Sequence, residues 1–112
     1  MRESLIEKRL KRGIEALGGT CEKFASPGTR GVPDRLITLP GGRIAFVETK
    51  APKKIPNPLQ TKDHERRRKL GCDVRVIDTV EKVDAFLEEK SQNGVKISRP
   101  SRISAQNCAN NY

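Results

Sequence analysis

The chain has 112 residues, with 23 Lys+Arg against 14 Asp+Glu and a formal net charge of +9. That length gives one domain with a modest core and no room for a second. The charge points to a polyanionic partner, with a ribosomal or nucleoid-type basic protein, or plain solubility, as the alternatives. Three cysteines (Cys21, Cys72, Cys108) without CxxC spacing and one histidine exclude a zinc centre and a disulfide framework, so reduced thiols in a cytoplasm are expected.

In residues 3–17, Ile6, Leu10, Ile14 and Leu17 form one stripe, the pattern of an amphipathic helix, and Gly18-Gly19 supplies its stop. Glu3 and Glu7 fall on or beside that stripe. From the residues alone, an acid snorkelling to water at the boundary is the commoner reading, and an acid aimed at a site is the other. Residues 20–25 read as a short strand and 26–31 as a loop. Val32-Pro33 then sets an extended start, because the residue before proline is pushed out of the helical region and proline lacks an N–H. Residues 34–39 and 43–50 are apolar and β-branched around a Pro-Gly-Gly turn, which predicts a β-hairpin over 31–50.

In the second hairpin strand Ile44, Phe46, Glu48 and Lys50 point one way, and Ala45, Val47 and Thr49 the other. Both faces are apolar until the charges begin, as expected of a central strand covered on both sides. A carboxylate and an amine two apart at such a strand end have no structural use. Folding back around Gly41 returns Asp34 opposite that end. Asp34 shares a face with Glu48 if facing positions sum to an even number, which needs a loop of three or five residues or a bulge. Two acids converging there repel each other and lose hydration, which a divalent cation relieves. A lysine beside that cation can orient or help deprotonate water. Asp34, Glu48 and Lys50 so placed suit hydrolysis of a phosphodiester. Arg30 and Arg35 enter from the edge, as phosphate contacts or as a solvated rim.

Residues 51–58 (APKKIPNP) cannot be regular structure, and Lys53 and Lys54 serve there either to position phosphate or as part of a flexible linker. Residues 59–70 read as a helix ended by Gly71, with Gln60 in its first turn and His64 one turn on. A lone histidine is usually structural; the alternative for His64 is a contact to DNA or a hydrogen bond to the site. The basic run 66–69, which includes Arg67, splits between a DNA-facing side and a solvated one. Residues 73–78 alternate as a strand, and 80–90 form a closing helix with Val83, Phe86 and Leu87 inward. Residues 91–112 read as a polar tail, disordered or with a short VKIS strand. The only charged residues after Lys90 are Lys96, Arg99 and Arg102, so the body keeps 20 of the 23 basic groups and all 14 acids, net +6. Phe24, Phe46 and Phe86 look like core, which leaves no base-stacking platform. The N-terminus is too charged for a signal peptide, and no apolar run approaches membrane length.

Pro33-Asp34 followed by Glu48-Thr49-Lys50 resembles the active-site signature of the PD-(D/E)XK nuclease superfamily. The wider wording (Gly18-Gly19, GVPDRLI, FVETKAP, Pro58-Leu59-Gln60, Leu70-Gly71) is similar to the virus-type replication-repair nuclease domain, VRR-Nuc, over residues 3–90. More distantly it resembles archaeal Holliday-junction resolvases. The expected order α-β-β-β-α-β-α agrees with that superfamily, so the fold expectation is α/β. It is a restriction-endonuclease-like αβββαβ core over residues 1–90, with a mixed central sheet flanked by helices, followed by the tail 91–112.

The resemblance also implies roles. It puts an acid on the first helix, which selects Glu7 with Glu3 in reserve, and a glutamine near the site, which is carried to Gln60. Asp34, Glu48, the Thr49 carbonyl and Glu7 are expected to hold Mg²⁺ or Mn²⁺, hard ions that suit oxygen donors. Asp34, Glu48, Lys50, Glu7 and Gln60 form the expected catalytic set, and Arg30, Arg35, Lys53, Lys54, His64 and Arg67 the expected DNA contacts. The implied protein is a metal-dependent endodeoxyribonuclease of a bacterial cell or a phage-infected host. It would nick branched DNA such as Holliday junctions as a symmetric homodimer, reading shape rather than bases. The competing readings are a non-catalytic basic DNA-binding module, a nuclease without branch specificity, and a restriction-type enzyme, for which little chain remains.

Overall fold

The computed structural model describes residues 2–97, with side chains described as far as Ser91. The elements are α1 (Glu3–Ala16), β1 (Thr20–Lys23), β2 (Arg35–Leu39), β3 (Arg43–Thr49), α2 (Pro58–Lys69), β4 (Val74–Ile77) and α3 (Val80–Ile97). The four strands form one sheet in the order β1-β2-β3-β4. The first two pairings are antiparallel and β3–β4 is parallel, so the sheet is mixed and the hairpin is central. A parallel neighbour requires a crossover, and α2 is that crossover.

One face of the sheet carries the apolar core. Ile6, Leu10 and Ile14 of α1 pack with Ile37, Leu39, Ala45, Val47 and Ile77 of the sheet and Val83 and Phe86 of α3. The two helices approach so closely that a Cβ at Gly13 would sit 2.2 Å from Leu87. Gly18, at φ +88°, ends α1, and the Gly19 N–H returns to the Ile14 carbonyl at 2.9 Å. A Cβ on Gly19 would lie 2.4 Å from the Thr38 carbonyl, so only glycine lets the chain leave the helix against β2.

The hairpin pairs Leu39 with Arg43 and Arg35 with Val47, leaving a three-residue loop whose two glycines both have positive φ. Continued one step, this register sets Asp34 across from Glu48, which meets the even-sum condition. α2 covers the other face, and its buried residues are Asp63 and His64. Ile44, at the far end of β3, is exposed, so the expected two-sided cover holds only towards the Glu48 end of the strand.

α3 continues to Ile97, past the expected stop at Lys90 and through positions 95–97, where a short strand was the alternative. The polar composition after Lys90 removes the apolar period without forbidding helix. Gly94 only raises the cost, and extending a helix already nucleated by packed turns is cheap. Residues 98–112, most of the expected tail, lie outside the described residues. No helix among the described residues is long and apolar enough to cross a membrane.

Candidate active site

Pro33 is buried, and the backbone bends at Asp34 before β2 begins. The bend turns the Asp34 carboxylate onto the last residue of β3. Oδ1 accepts the Thr49 N–H at 3.2 Å and Oδ2 lies 3.0 Å from the Thr49 hydroxyl. Glu3 and Glu7, one turn apart on α1, place oxygens 3.4 and 3.2 Å from that same hydroxyl. An oxygen of each of Glu3, Glu7 and Asp34 therefore lies within 4.8 Å of the others. A hydroxyl has one proton and can satisfy one of these acceptors at a time, so the other oxygens remain in mutual repulsion. Burial holds Asp34 above the usual carboxylate range against the pull of the Thr49 donors, and burial together with Glu7 does the same to Glu3. Arg35 offsets part of this charge. Its guanidinium is 3.1 Å from Glu7 Oε1 and donates to the Asp34 carbonyl at 3.0 Å.

Glu48 is 3% exposed and is engaged from the α2 side. Its Oε2 accepts from Gln60 Nε2 at 3.1 Å and lies 3.4 Å from Lys50 Nζ. Gln60 has no choice of orientation. Its Oε1 accepts the Asn57 N–H at 2.9 Å while its own N–H donates to Asn57 Oδ1 at 2.9 Å, a reciprocal cap that starts α2. With Oε1 committed, only the amide NH₂ can face Glu48. His64 follows one turn on, with Nε2 3.9 Å from Glu48 Oε1, and both atoms are buried without a hydrogen-bond partner. Burial first, then the Asp34 charge, push the Glu48 carboxyl up to about 7 against the opposing pull of Lys50. Burial, then Arg68, holds the His64 imidazole below its usual range, hence neutral.

The expected catalytic set is thus gathered at one end of the hairpin, but in two groups. Asp34 and Glu7 meet around Thr49 on the α1 side, joined by Glu3, which stands beside Glu7 rather than in its place. Glu48, Lys50 and Gln60 meet on the α2 side. Thr49, expected to offer its carbonyl, also brings its hydroxyl into the middle of the carboxylates. All donors in the first group are oxygen, and the buried Oε1 of Glu48 lacks a partner, so the residues present fit a hard divalent cation.

Arg30, Lys53 and Lys54 of the expected DNA set are exposed. The other three turn inward. Arg35, 12% exposed, serves Glu7. Arg67, 15% exposed, bonds the buried Asp63 at 2.7 Å and lies over the Phe46 and Phe24 rings at 4.9 and 5.5 Å. His64 faces Glu48. Sequence reading missed Gly31, which has φ +82° and where a Cβ would lie 2.5 Å from the Leu59 carbonyl. The loop before β2 therefore rests directly on the turn that carries Gln60. The only local signal was a glycine preceding Val-Pro. Between that loop and α2 runs a groove lined by Thr29, Arg30, Leu59, Lys62, Asp63 and Arg66, with basic side chains on both walls.

No family model matches the chain. A protein of Acyrthosiphon pisum secondary endosymbiont phage 1, named "Putative nuclease p44", is 51% identical over 79 residues, covering 70% of this chain and 85% of that protein. Among solved structures, a VRR_NUC domain aligns with a TM-score of 0.73 at 41% identity, covering 77% of this chain and 94% of that one. With the mixed sheet, the hairpin register and the gathered carboxylates already in place, these likenesses identify the chain as a member of the VRR-Nuc family, with its restriction-endonuclease-like α/β fold.

Proposed function

We propose that this protein is a divalent-metal-dependent DNA endonuclease, hydrolysing phosphodiester bonds at the Asp34–Glu48–Lys50 end of the hairpin and nicking branched DNA as a homodimer. The observation that carries the reading is the convergence of half-buried carboxylates from α1 and the bend at Asp34 with the buried Glu48 of β3, beside one partly covered lysine, in a VRR-Nuc chain.

Asp34, Glu7, Glu3, Glu48 and the Thr49 carbonyl are the groups that would hold Mg²⁺ or Mn²⁺. Bound there, the cation supplies Lewis acidity to the phosphate and lowers the pKa of a water. The chain's own groups do the rest. Lys50, close to Glu48 and open on one side, orients the attacking water or stabilises the charge that builds on the phosphate oxygens. Gln60 fixes Glu48, Arg35 fixes Glu7, and the Thr49 hydroxyl keeps the α1 carboxylates at the strand end. Arg30, Lys53 and Lys54, with Lys62 and Arg66 of the basic groove, suit contacts to the sugar-phosphate backbone on either side of the cut. Two sites related by a dyad would reach paired strands of a junction, which a body this small does not span alone.

The test is cleavage of a labelled four-way junction, with linear duplex and single strand alongside. It is run with Mg²⁺, Mn²⁺ or EDTA, using the native chain and Lys50→Ala, with sedimentation to count subunits. The expected result is paired, metal-dependent nicks on the junction by a dimer, lost in the variant. Equal cleavage of all substrates would retain the chemistry and discard the branch preference. Tight binding without cleavage under either metal would leave a DNA-binding module.

A further inference from the structure

Glu48 has two oxygens, each with more than one lone pair, and α2 faces both of them. Oε2 takes the Gln60 amide and faces Lys50, whereas Oε1 points at His64 Nε2 across 3.9 Å, and neither atom has another hydrogen-bond partner. A gap that long is not a hydrogen bond, but the two atoms face each other and lie about 1 Å beyond bonding distance. Gln60 and His64 are one turn apart on the same side of α2, whose start is locked by the Asn57 cap. One rigid helix therefore presents a donor to each oxygen of a single carboxylate. The histidine is 1% exposed and Glu48 3%, so both atoms lie away from bulk solvent.

We propose that His64 is a positioning residue for Glu48: its Nε2–H closes onto Oε1 when the site is loaded, while Gln60 keeps Oε2, so that α2 fixes the plane of the carboxylate from both ends. The proposal rests on the function given above, since it concerns how that site holds its charge. A carboxylate pinned at one oxygen only can rotate about its terminal bond; pinned at both, it presents one set of lone pairs. A neutral imidazole can serve as donor without adding positive charge beside a bound cation. The proton must then sit on Nε2 and not on Nδ1.

Three variants and one spectrum test this. His64→Phe fills the space and lacks the donor, and His64→Gln keeps a donor in reach. Glu48→Gln reports the site itself. Mn²⁺ affinity is measured by titration of the metal-free protein, and cleavage by the split between kcat and KM. H64F is expected to weaken Mn²⁺ binding about tenfold and to lower kcat with little change in KM, with H64Q recovering most of both. If H64F binds and cuts like the native chain, the positioning role is wrong while the function stands. If the native chain itself neither binds Mn²⁺ nor cuts, the function is wrong. Nitrogen NMR of the native protein, with and without Mg²⁺, needs no folded variant. A proton on Nε2, slowed in exchange by Mg²⁺, supports the proposal, and an Nδ1–H tautomer in the loaded protein overturns it.

Discussion

The two faces of the sheet are built by different means. Beneath α1 and α3 the contacts are apolar, with Ile6, Leu10, Ile14, Ile37, Val47 and Val83 entirely removed from solvent. That burial is non-directional and tolerant, and it supplies most of the driving force for folding. Beneath α2 the buried side chains include Asp63, His64 and Glu48, while Leu59 of α2 and Leu70, the residue following it, point outward. That helix is held by its cap, by the ion pairs of Asp63 with Arg66 and Arg67, and by Arg67 lying on two phenylalanine rings. Such contacts are directional and give little net energy, yet they fix where Gln60 and His64 sit. The apolar face makes the protein fold, and the polar face sets the geometry of one carboxylate.

If this division is right, single substitutions should separate stability from activity. Asp34→Asn, at the join of the two groups, should lower metal-dependent cleavage by about 10³-fold while leaving a cooperative melt, because the loss falls on charge presented to the substrate. Leu10→Ala should do the reverse, costing about 2–5 kcal/mol in denaturant unfolding with kcat per folded molecule retained. Arg67→Ala lies between. It leaves Asp63 with Arg66 alone, at a cost of about 1–3 kcal/mol, and by loosening α2 it should also reduce cleavage.

A pH series probes the polar face directly. The unfolded chain gives up the Glu48 proton near 4.5 and the folded chain near 7, so between those values the folded state binds more protons. Stability of the metal-free protein should therefore fall by about 2 kcal/mol as pH rises from 4.5 to 7, with Asp34 and Glu3 adding in the same sense, and then level off. Glu48→Gln should flatten this fall while abolishing cleavage, and Mg²⁺ should raise the melting temperature more at pH 8 than at pH 5.5. The smallest effect is expected from Arg9→Ala, which removes the exposed bridge to Asp84 and should leave both melting and cleavage unchanged.

What could be read in advance depended on how local each signal was. The α1 stripe, the Gly18-Gly19 stop and the alternation along β3 are repeats within a few residues, and each was found where expected. The hairpin register needed only the loop length to be settled. Side-chain partners were another matter. Thr49 meets Glu7 across 42 positions of sequence, and nothing near Thr49 announces it. Arg35 and Arg67 are chemically the same residue as the exposed Arg30, and what turned them inward was a carboxylate or a ring supplied by another element. The stop expected at Lys90 failed for a related reason. Losing an apolar period says where packing ends, not where helix ends, and α3 carries on to Ile97.

Gln60 has a consequence for how this protein can change. One side chain closes the start of a helix with its oxygen and restrains a buried acid with its nitrogen. A substitution there that spared the helix would have to keep the acceptor, and one that spared the acid would have to keep the donor. Glutamate retains the first and loses the second; lysine does the opposite. Among these substitutions none keeps both tasks, so a variant at residue 60 should betray by its defect which of the two it lost: glutamate the hold on Glu48, lysine the start of the helix.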